Sequence, residues 1–224
     1  MPPVPPPSFE PSYYNNLLQE TTKSASSALN LSGSDVLNLD GQMLYYTSIT
    51  LSNNARVNGP GILVSKGNFT AQNLSIIGDN ITIIASGSAT FLNSTSVGNT
   101  VEVVVGGNVS ISNGQNFPND NLIYSKGNIL FNNSSFFYGS ILAPYGDMTS
   151  VNATKFRGLI YAYSIDLQNS TNLRGSVIVD NVGYFSNSAT VTYDPAVLPA
   201  NWPEGLTGLG FAGIPEILSW EEIY

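Results

Sequence analysis

Apolar and polar residues alternate over short stretches that recur along most of the chain. The pairs Ile49/Leu51, Phe69/Ala71, Ala89/Phe91, Val109/Ile111, Ile129/Phe131, Met148/Ser150, Ile165/Leu167 and Gly183/Phe185 are separated and flanked mainly by Thr, Ser, Gln or Asn. Alternation with a period of two marks a strand with one buried face. Each stretch runs into an asparagine: Asn53, Asn73, Asn93, Asn113, Asn133, Asn152, Asn169 and Asn187. The spacing is about 20 residues, tightening to about 17–19 near the end, a period that signals a repeat architecture.

The columns after the asparagine repeat too. Small or hydroxylic residues follow, as in Ser94-Thr95 and Ser170-Thr171, and then an inward apolar position: Val57, Ile77, Val97, Phe117, Phe137, Phe156, Leu173, Val191. A turn residue usually comes next, among them Gly59, Gly78, Gly98, Gly139, Gly158 and Gly175. A third apolar stretch opens the next repeat, as in Ile62-Leu63-Val64, Val103-Val104-Val105 and Val177-Ile178-Val179. Each repeat therefore predicts three short strands and three corners. One repeat cannot bury its own apolar face, so neighbours must stack. The expected fold is all-β: a single-stranded parallel β-solenoid of about eight rungs, right-handed because parallel crossovers are overwhelmingly so. At about 4.8 Å per rung the rod is about 35–40 Å long. The eight asparagines are expected to form a structural ladder. Stacked amides bond along the rod, and Asn tolerates the left-handed corner conformation.

The ends depart from the repeat. Residues 1–11 are Pro-rich and predict an extended, semi-rigid linker. Residues 12–224 form the solenoid domain: 12–50 an N-terminal cap and lead-in, 51–195 the regular rungs, 196–224 an irregular C-terminal cap. Tyr13, Tyr14, Leu17 and Leu18 have helical spacing, with Ser12 as N-cap, which predicts a short helix from Ser12 to about Ala28. Its expected task is to cover the first rung, whose strand edges and apolar core would otherwise be open. Beyond Tyr193-Asp194-Pro195, residues such as Trp202, Leu206, Phe211 and Trp220 are too apolar for a free tail and should pack along the side or across the end. Leu218 to Tyr224 is expected to add an edge strand.

Composition narrows the chemistry. Of 224 residues only 10 % are charged, and the formal net charge is −8. An acidic chain is a poor match for nonspecific nucleic-acid or anionic-membrane binding. With no cysteine and no histidine, Cys nucleophiles, disulfides, thiolate metal sites and His bases are excluded. No cofactor or metal is called for. No apolar run approaches the ~18–20 residues that span a membrane. A composition rich in Asn, Ser, Thr and Tyr points outside the cell. The linker-like start is read as that of a fragment separated from its targeting segment.

Several residues are candidates for more than packing. Asn-x-Ser/Thr triplets begin at Asn68, Asn73, Asn80, Asn93, Asn108, Asn133, Asn152 and Asn169, but five of these are ladder asparagines followed by corner hydroxyls. Asp79, Asp120, Asp147, Asp180 and Asp194 recur beside turns, where an Asp bonds its own backbone. Calcium at such turns is the lesser reading. Arg157 and Arg174 fall one rung apart. Thr50, Thr70, Thr90, Ser110, Leu130 and Thr149 form an outward column like a flat ice-binding face, without a matching second column. Tyr124, Tyr138, Tyr145, Tyr161 and Tyr163 gather in the later rungs and fit either an exposed aromatic strip, the chemistry of many binding surfaces, or a surface covered by the C-terminal segment. A catalytic pair of acids on one face is not visible.

The Pro-rich start with Phe9 and Tyr13-Tyr14, the Gly-Asn rungs Val64-Ser-Lys-Gly-Asn68 and Tyr124-Ser-Lys-Gly-Asn128, Tyr193-Asp-Pro195 and the terminal Ser219-Trp-Glu-Glu-Ile223 together resemble a known layout. It is that of the β-solenoid domains of PilX-type and ComZ-like minor pilins of bacterial type IV pili. The resemblance implies a non-enzymatic head domain at the cell surface or pilus tip, serving adhesion, natural transformation or contact with a glycan, protein or DNA. It implies association with other pilins through an N-terminal helix that this sequence lacks, no membrane contact by the domain itself, and a monomer when isolated. No catalytic residue carries over. Two other readings stand beside it: a carbohydrate-active β-helix enzyme with an acid pair in a groove, and a cytosolic bactofilin-like structural solenoid with stackable ends.

Overall fold

The structure, a computed structural model, describes residues 8–199 and 202–207. Residues 1–7, most of the expected linker, lie outside the described residues. So do 208–224, with the expected edge strand at Leu218 to Tyr224 and the terminal Ser-Trp-Glu-Glu-Ile.

The chain winds into a parallel β-solenoid of about eight turns, with one short α-helix among the described residues. Three faces run its length. Face A holds the alternating strands Leu29–Ser32, Ile49–Ser52, Phe69–Gln72, Ala89–Leu92, Val109–Ser112 and Ile129–Asn132, paired in register one above the next. Face B begins with Val36–Asn38 and Arg56–Asn58, face C with Met43–Tyr46, Gly61–Ser65 and Ile81–Ala85. The inward columns meet in one continuous core. Its centre carries a file of rings, Phe69, Phe91, Phe117, Phe137, Phe131 and Phe156, with centroids 4.7–5.8 Å apart.

The asparagine corner between faces A and B is the constant of the design. Each ladder asparagine has positive φ, from +50° at Asn169 to +65° at Asn152, and so does the residue after it. Two successive left-handed residues turn the chain sharply, and Asn is the non-glycine residue that accepts this at least strain. The amides join as expected. Asn73 Nδ2 donates to Asn53 Oδ1 (3.4 Å), Asn93 to Asn73 (2.9 Å), Asn113 to Asn93 (3.0 Å) and Asn133 to Asn113 (3.0 Å). Asn152, Asn169 and Asn187 extend the chain of bonds at 3.1, 3.2 and 3.0 Å. At the bottom Asn53 donates to Ser32. Two residues after the asparagines from Asn73 to Asn169, Ser75, Thr95, Gln115, Ser135, Thr154 and Thr171 turn inward and are buried. Thr95 and Thr171 hydroxyls donate back to carbonyls of the corner.

The other corners vary. Up to Asn133 the ladder spacing is 20 residues, and it then falls to 19, 17 and 18. The shortening coincides with Gly139, Gly158 and Gly175, which stack in register at φ of +144°, +133° and +139°. One glycine bend replaces the longer turn between faces B and C, and the long strands Phe136–Val151, Lys155–Leu167 and Asn172–Phe185 run on from face C into face A. A Cβ at Gly158 would overlap the Gly139 carbonyl oxygen, and one at Gly175 the Gly158 carbonyl oxygen.

The N-terminal helix is shorter than expected and sits elsewhere. It spans Ser12–Gln19 and passes into a 3₁₀ turn at Glu20–Thr22. Thr21 and Thr22 hydroxyls donate to the Leu18 and Gln19 carbonyls at 2.8 Å, and such local bonds compete with helix continuation. The N-cap is Pro11, and the Ser12 N–H bonds Glu10 Oε1 (3.1 Å). The helix does not close the first rung. It lies on the outer surface of face C, where Val64, Ile84, Val104, Tyr124, Leu142 and Tyr161 form an apolar outward column. That column explains the placement. Face C is apolar on both sides, so its outside needs a cover more than the rod end does.

Candidate functional site

Residues 8–26 run lengthwise down the rod as a splint. Phe9 stacks against Tyr161 (5.4 Å between centroids), Tyr124 (6.1 Å) and Tyr14 (5.9 Å). Tyr14 lies flat on Tyr124, 4.2 Å apart and 6° from parallel. Further down, Glu20 accepts a 2.6 Å bond from the Tyr45 hydroxyl, and Ser26 pairs with Tyr46 at the first turn. The splint thus crosses the rungs from Tyr161 to Tyr45 before the chain enters the coil. A second strap returns to it: Ser8–Phe9 pairs antiparallel with Leu206–Thr207, and the Glu10 N–H donates to the Gly205 carbonyl (2.8 Å).

Splint, strap and face C border a half-open cleft of about 410 Å³, a volume within the range of small-ligand sites. Tyr13 and Trp202 contribute rings, and Glu102, Asp120 and Glu204 contribute carboxylates. Glu102 opens the strand Glu102–Val105 and stacks beside Leu122 and Thr82. Burial pushes its carboxyl up to about 6; hydroxyls of Thr82 (3.5 Å) and Tyr13 oppose the shift, and nearby Glu204 adds to it. Burial also raises Tyr13 and Tyr14 above the ordinary phenol value, helped by the charge of Glu102. The Tyr14 hydroxyl has no hydrogen-bond partner among the described residues, although the side chain is fully buried. None of the seven Lys and Arg lines this cleft.

No protein-family model, curated protein or solved structure matches this chain.

The expected aromatic strip is divided. Tyr124 and Tyr161 are buried, 0 % and 4 % exposed, beneath Phe9 and Tyr14. They belong to the outward column of face C, which the splint covers, so they are not a free binding surface. Tyr161 also donates to Asp180 at 2.7 Å. Tyr145 and Tyr163 are exposed, 58 % and 46 %, in the corner between faces C and A of consecutive rungs. Tyr138 lies apart, half-buried on face B in register with Arg157.

The remaining candidates fall into structural roles. Asp79 accepts from the Asn99 backbone (2.7 Å) and side chain, and Asn99 in turn holds Asn119. Asp194 caps the 3₁₀ turn Pro195–Val197 and pairs with Arg174 at 2.5 Å. Arg157 and Arg174 do stack in register, with Arg157 over the Phe136 ring. Asn68, Asn108 and Asn128 accept from backbone N–H groups of the next rung, and Ser88 does so between the first two. Among the described residues no group of three or more acidic side chains could hold a metal ion, and no helix is long and apolar enough to cross a membrane.

Glu102 and its cleft escaped the sequence. The signal available was the unbroken apolar triplet of the third strand, such as Val103-Val104-Val105. Against the alternation of face A, it marks a sheet surface covered on both sides, and an acid at the head of that triplet is out of place there.

Proposed function

We propose that this chain is the non-enzymatic head domain of a minor pilin, a rigid rod displayed outside the cell at a type IV pilus tip for contact with a surface glycan, protein or DNA. The observation that carries the reading is the lengthwise splint. Its N-terminal side is the side from which the sequence layout would hang the head on a pilin stem. A pull applied there loads the stacked rings of Phe9, Tyr14, Tyr124 and Tyr161 and the Phe9–Leu206 pair in shear, across several rungs at once. Such an attachment suits a head at the end of a fibre under tension. The test is immunogold labelling of the source organism together with deletion of the gene. Label at pilus tips, and altered piliation or adhesion on deletion, support the reading. Label on internal filaments favours the bactofilin-like scaffold.

A second reading has one observation in its favour. A carboxyl held near 6 beside another acid in an aromatic cleft is the profile of a glycosidase general acid. Release of reducing ends from oligosaccharides, lost in Glu102→Gln, would establish it.

A further inference from the structure

We propose that the cleft between the splint and face C binds an organic ammonium ion, with Glu102 and Glu204 as its counter-charges and Tyr13 and Trp202 as its walls. The inference does not depend on where the rod is displayed.

Four observations converge. Three carboxylates, half-buried Glu102 and the exposed Asp120 and Glu204 at its mouth, line one half-open space that holds no Lys or Arg. A half-buried carboxylate without a cationic partner is unfavourable, so the site is electrostatically incomplete as it stands. Among the described residues the acids form no group that could hold a metal ion, which leaves an organic cation as the counter-charge. Rings beside the acids suit a cation spread over alkyl groups, since ammonium and guanidinium groups bind the faces of Tyr and Trp. Finally, the Tyr14 hydroxyl is fully buried at this cleft with no partner among the described residues, the state of a group whose partner arrives with a ligand. A volume of about 410 Å³ admits a quaternary amine, the end of a polyamine or a lysine side chain.

A neutral sugar would satisfy the rings and the hydroxyl but leave the half-buried Glu102 carboxylate uncompensated. An anion is excluded by the charge of the three acids. A protonated amine answers all three features.

The test is calorimetric titration of the full chain at pH 7.5 with choline and with its neutral isostere 3,3-dimethyl-1-butanol. Two further arms separate the sources of an ammonium group: spermidine for a free amine, and Nα-acetyl-lysine amide for a protein side chain. The expected result is saturable binding of at least one amine and none of the isostere. Glu102→Gln should weaken it about tenfold, the worth of one charge-assisted contact. Affinity should also fall as pH drops through about 6, where Glu102 takes up a proton. The arm that binds more tightly identifies the source. Glu204→Gln, on the rim, keeps the test decisive if the first variant misfolds. The proposal is overturned if the isostere binds as well as choline, if both Gln variants fold and bind normally, or if only neutral oligosaccharides bind.

Discussion

Asn113 is the residue at which the ladder can be weighed. Its amide donates to Asn93 at 3.0 Å and its oxygen accepts from Asn133 at 3.0 Å, while its backbone sits at φ +64°. Asn113→Gly removes both bonds and keeps a backbone at ease with positive φ. For exposed amides two such bonds are worth about 1–2 kcal/mol together. Asn113→Ala loses the same bonds and adds a Cβ in the left-handed region, about 1 kcal/mol more. The expected order is therefore Asn above Gly above Ala, with Ala lower by about 2–3 kcal/mol in all. Asn113→Asp retains the acceptor for Asn133 but sets a carboxylate against the Asn93 oxygen. Its deficit should shrink below about pH 4, where the protonated acid donates again. Urea unfolding followed by circular dichroism gives the midpoints at constant slope, and amide exchange at the corners of Asn93, Asn113 and Asn133 localises the effect. If Gly matches the unchanged chain within about 0.3 kcal/mol, the ladder bonds contribute nothing and the argument fails. Equal values for Gly and Ala would remove the backbone part of it.

Gly158→Ala should destabilise by more than about 3 kcal/mol, because its Cβ meets the backbone of the rung below at a φ of +133°; a urea midpoint within error of the parent would refute this. Phe9→Ala should loosen the splint by about 2 kcal/mol, since a half-buried stacked ring is lost. That predicts about thirtyfold faster proteolysis within residues 8–22 and little change on face A. Glu102→Gln should alter the pH dependence of stability. The native carboxyl titrates near 6 against an ordinary 4.5, so the folded chain holds a proton that the unfolded chain has released. Stability is fully present below about 4.5 and falls by about 2 kcal/mol as pH rises through 6. The Gln variant should lack this fall and be the more stable protein at pH 7; an unchanged pH slope in the variant would show that the carboxyl is not held by burial.

The rungs were legible because their information is local and repeated. Ile49, Phe69 and Ala89 each need only the same position one turn away, and a column read from spacing is already a contact. The asparagines were plainer still, since one residue type serves both the corner backbone and the amide bond. Asp194 behaved as a turn acid for the same reason, whereas Asp79 bonds Asn99 of the next rung instead of its own turn. What the sequence withheld concerns lateral docking. Phe9, Tyr14 and Leu18 announce that they will be buried, but no periodicity says against what, and the rod end was a plausible partner. Their true partners, Val64, Ile84, Val104 and Tyr124, lie up to about a hundred residues away and are outward-facing members of a repeat whose inward neighbours look just as apolar. Once the splint is placed on the wrong surface, Tyr124 and Tyr161 pass for exposed rings, and the Glu102 cleft does not exist at all.

The splint also sets a timetable. Residues 8–22 leave the ribosome before any rung, yet Phe9 finds its place only when Tyr124 and Tyr161 have both been made and coiled into position. Until then the nascent chain carries an unmatched apolar strip ahead of the rungs, open to chaperones or to another copy. Strap residues 202–207 close over it last of all. Early turns can propagate one upon another as they emerge, while the oldest segment waits for nearly the youngest. Full docking of the splint thus waits for the rung of Tyr161, and a chain interrupted between Tyr124 and Tyr161 would hold Tyr14 but leave Phe9 short of its nearest ring.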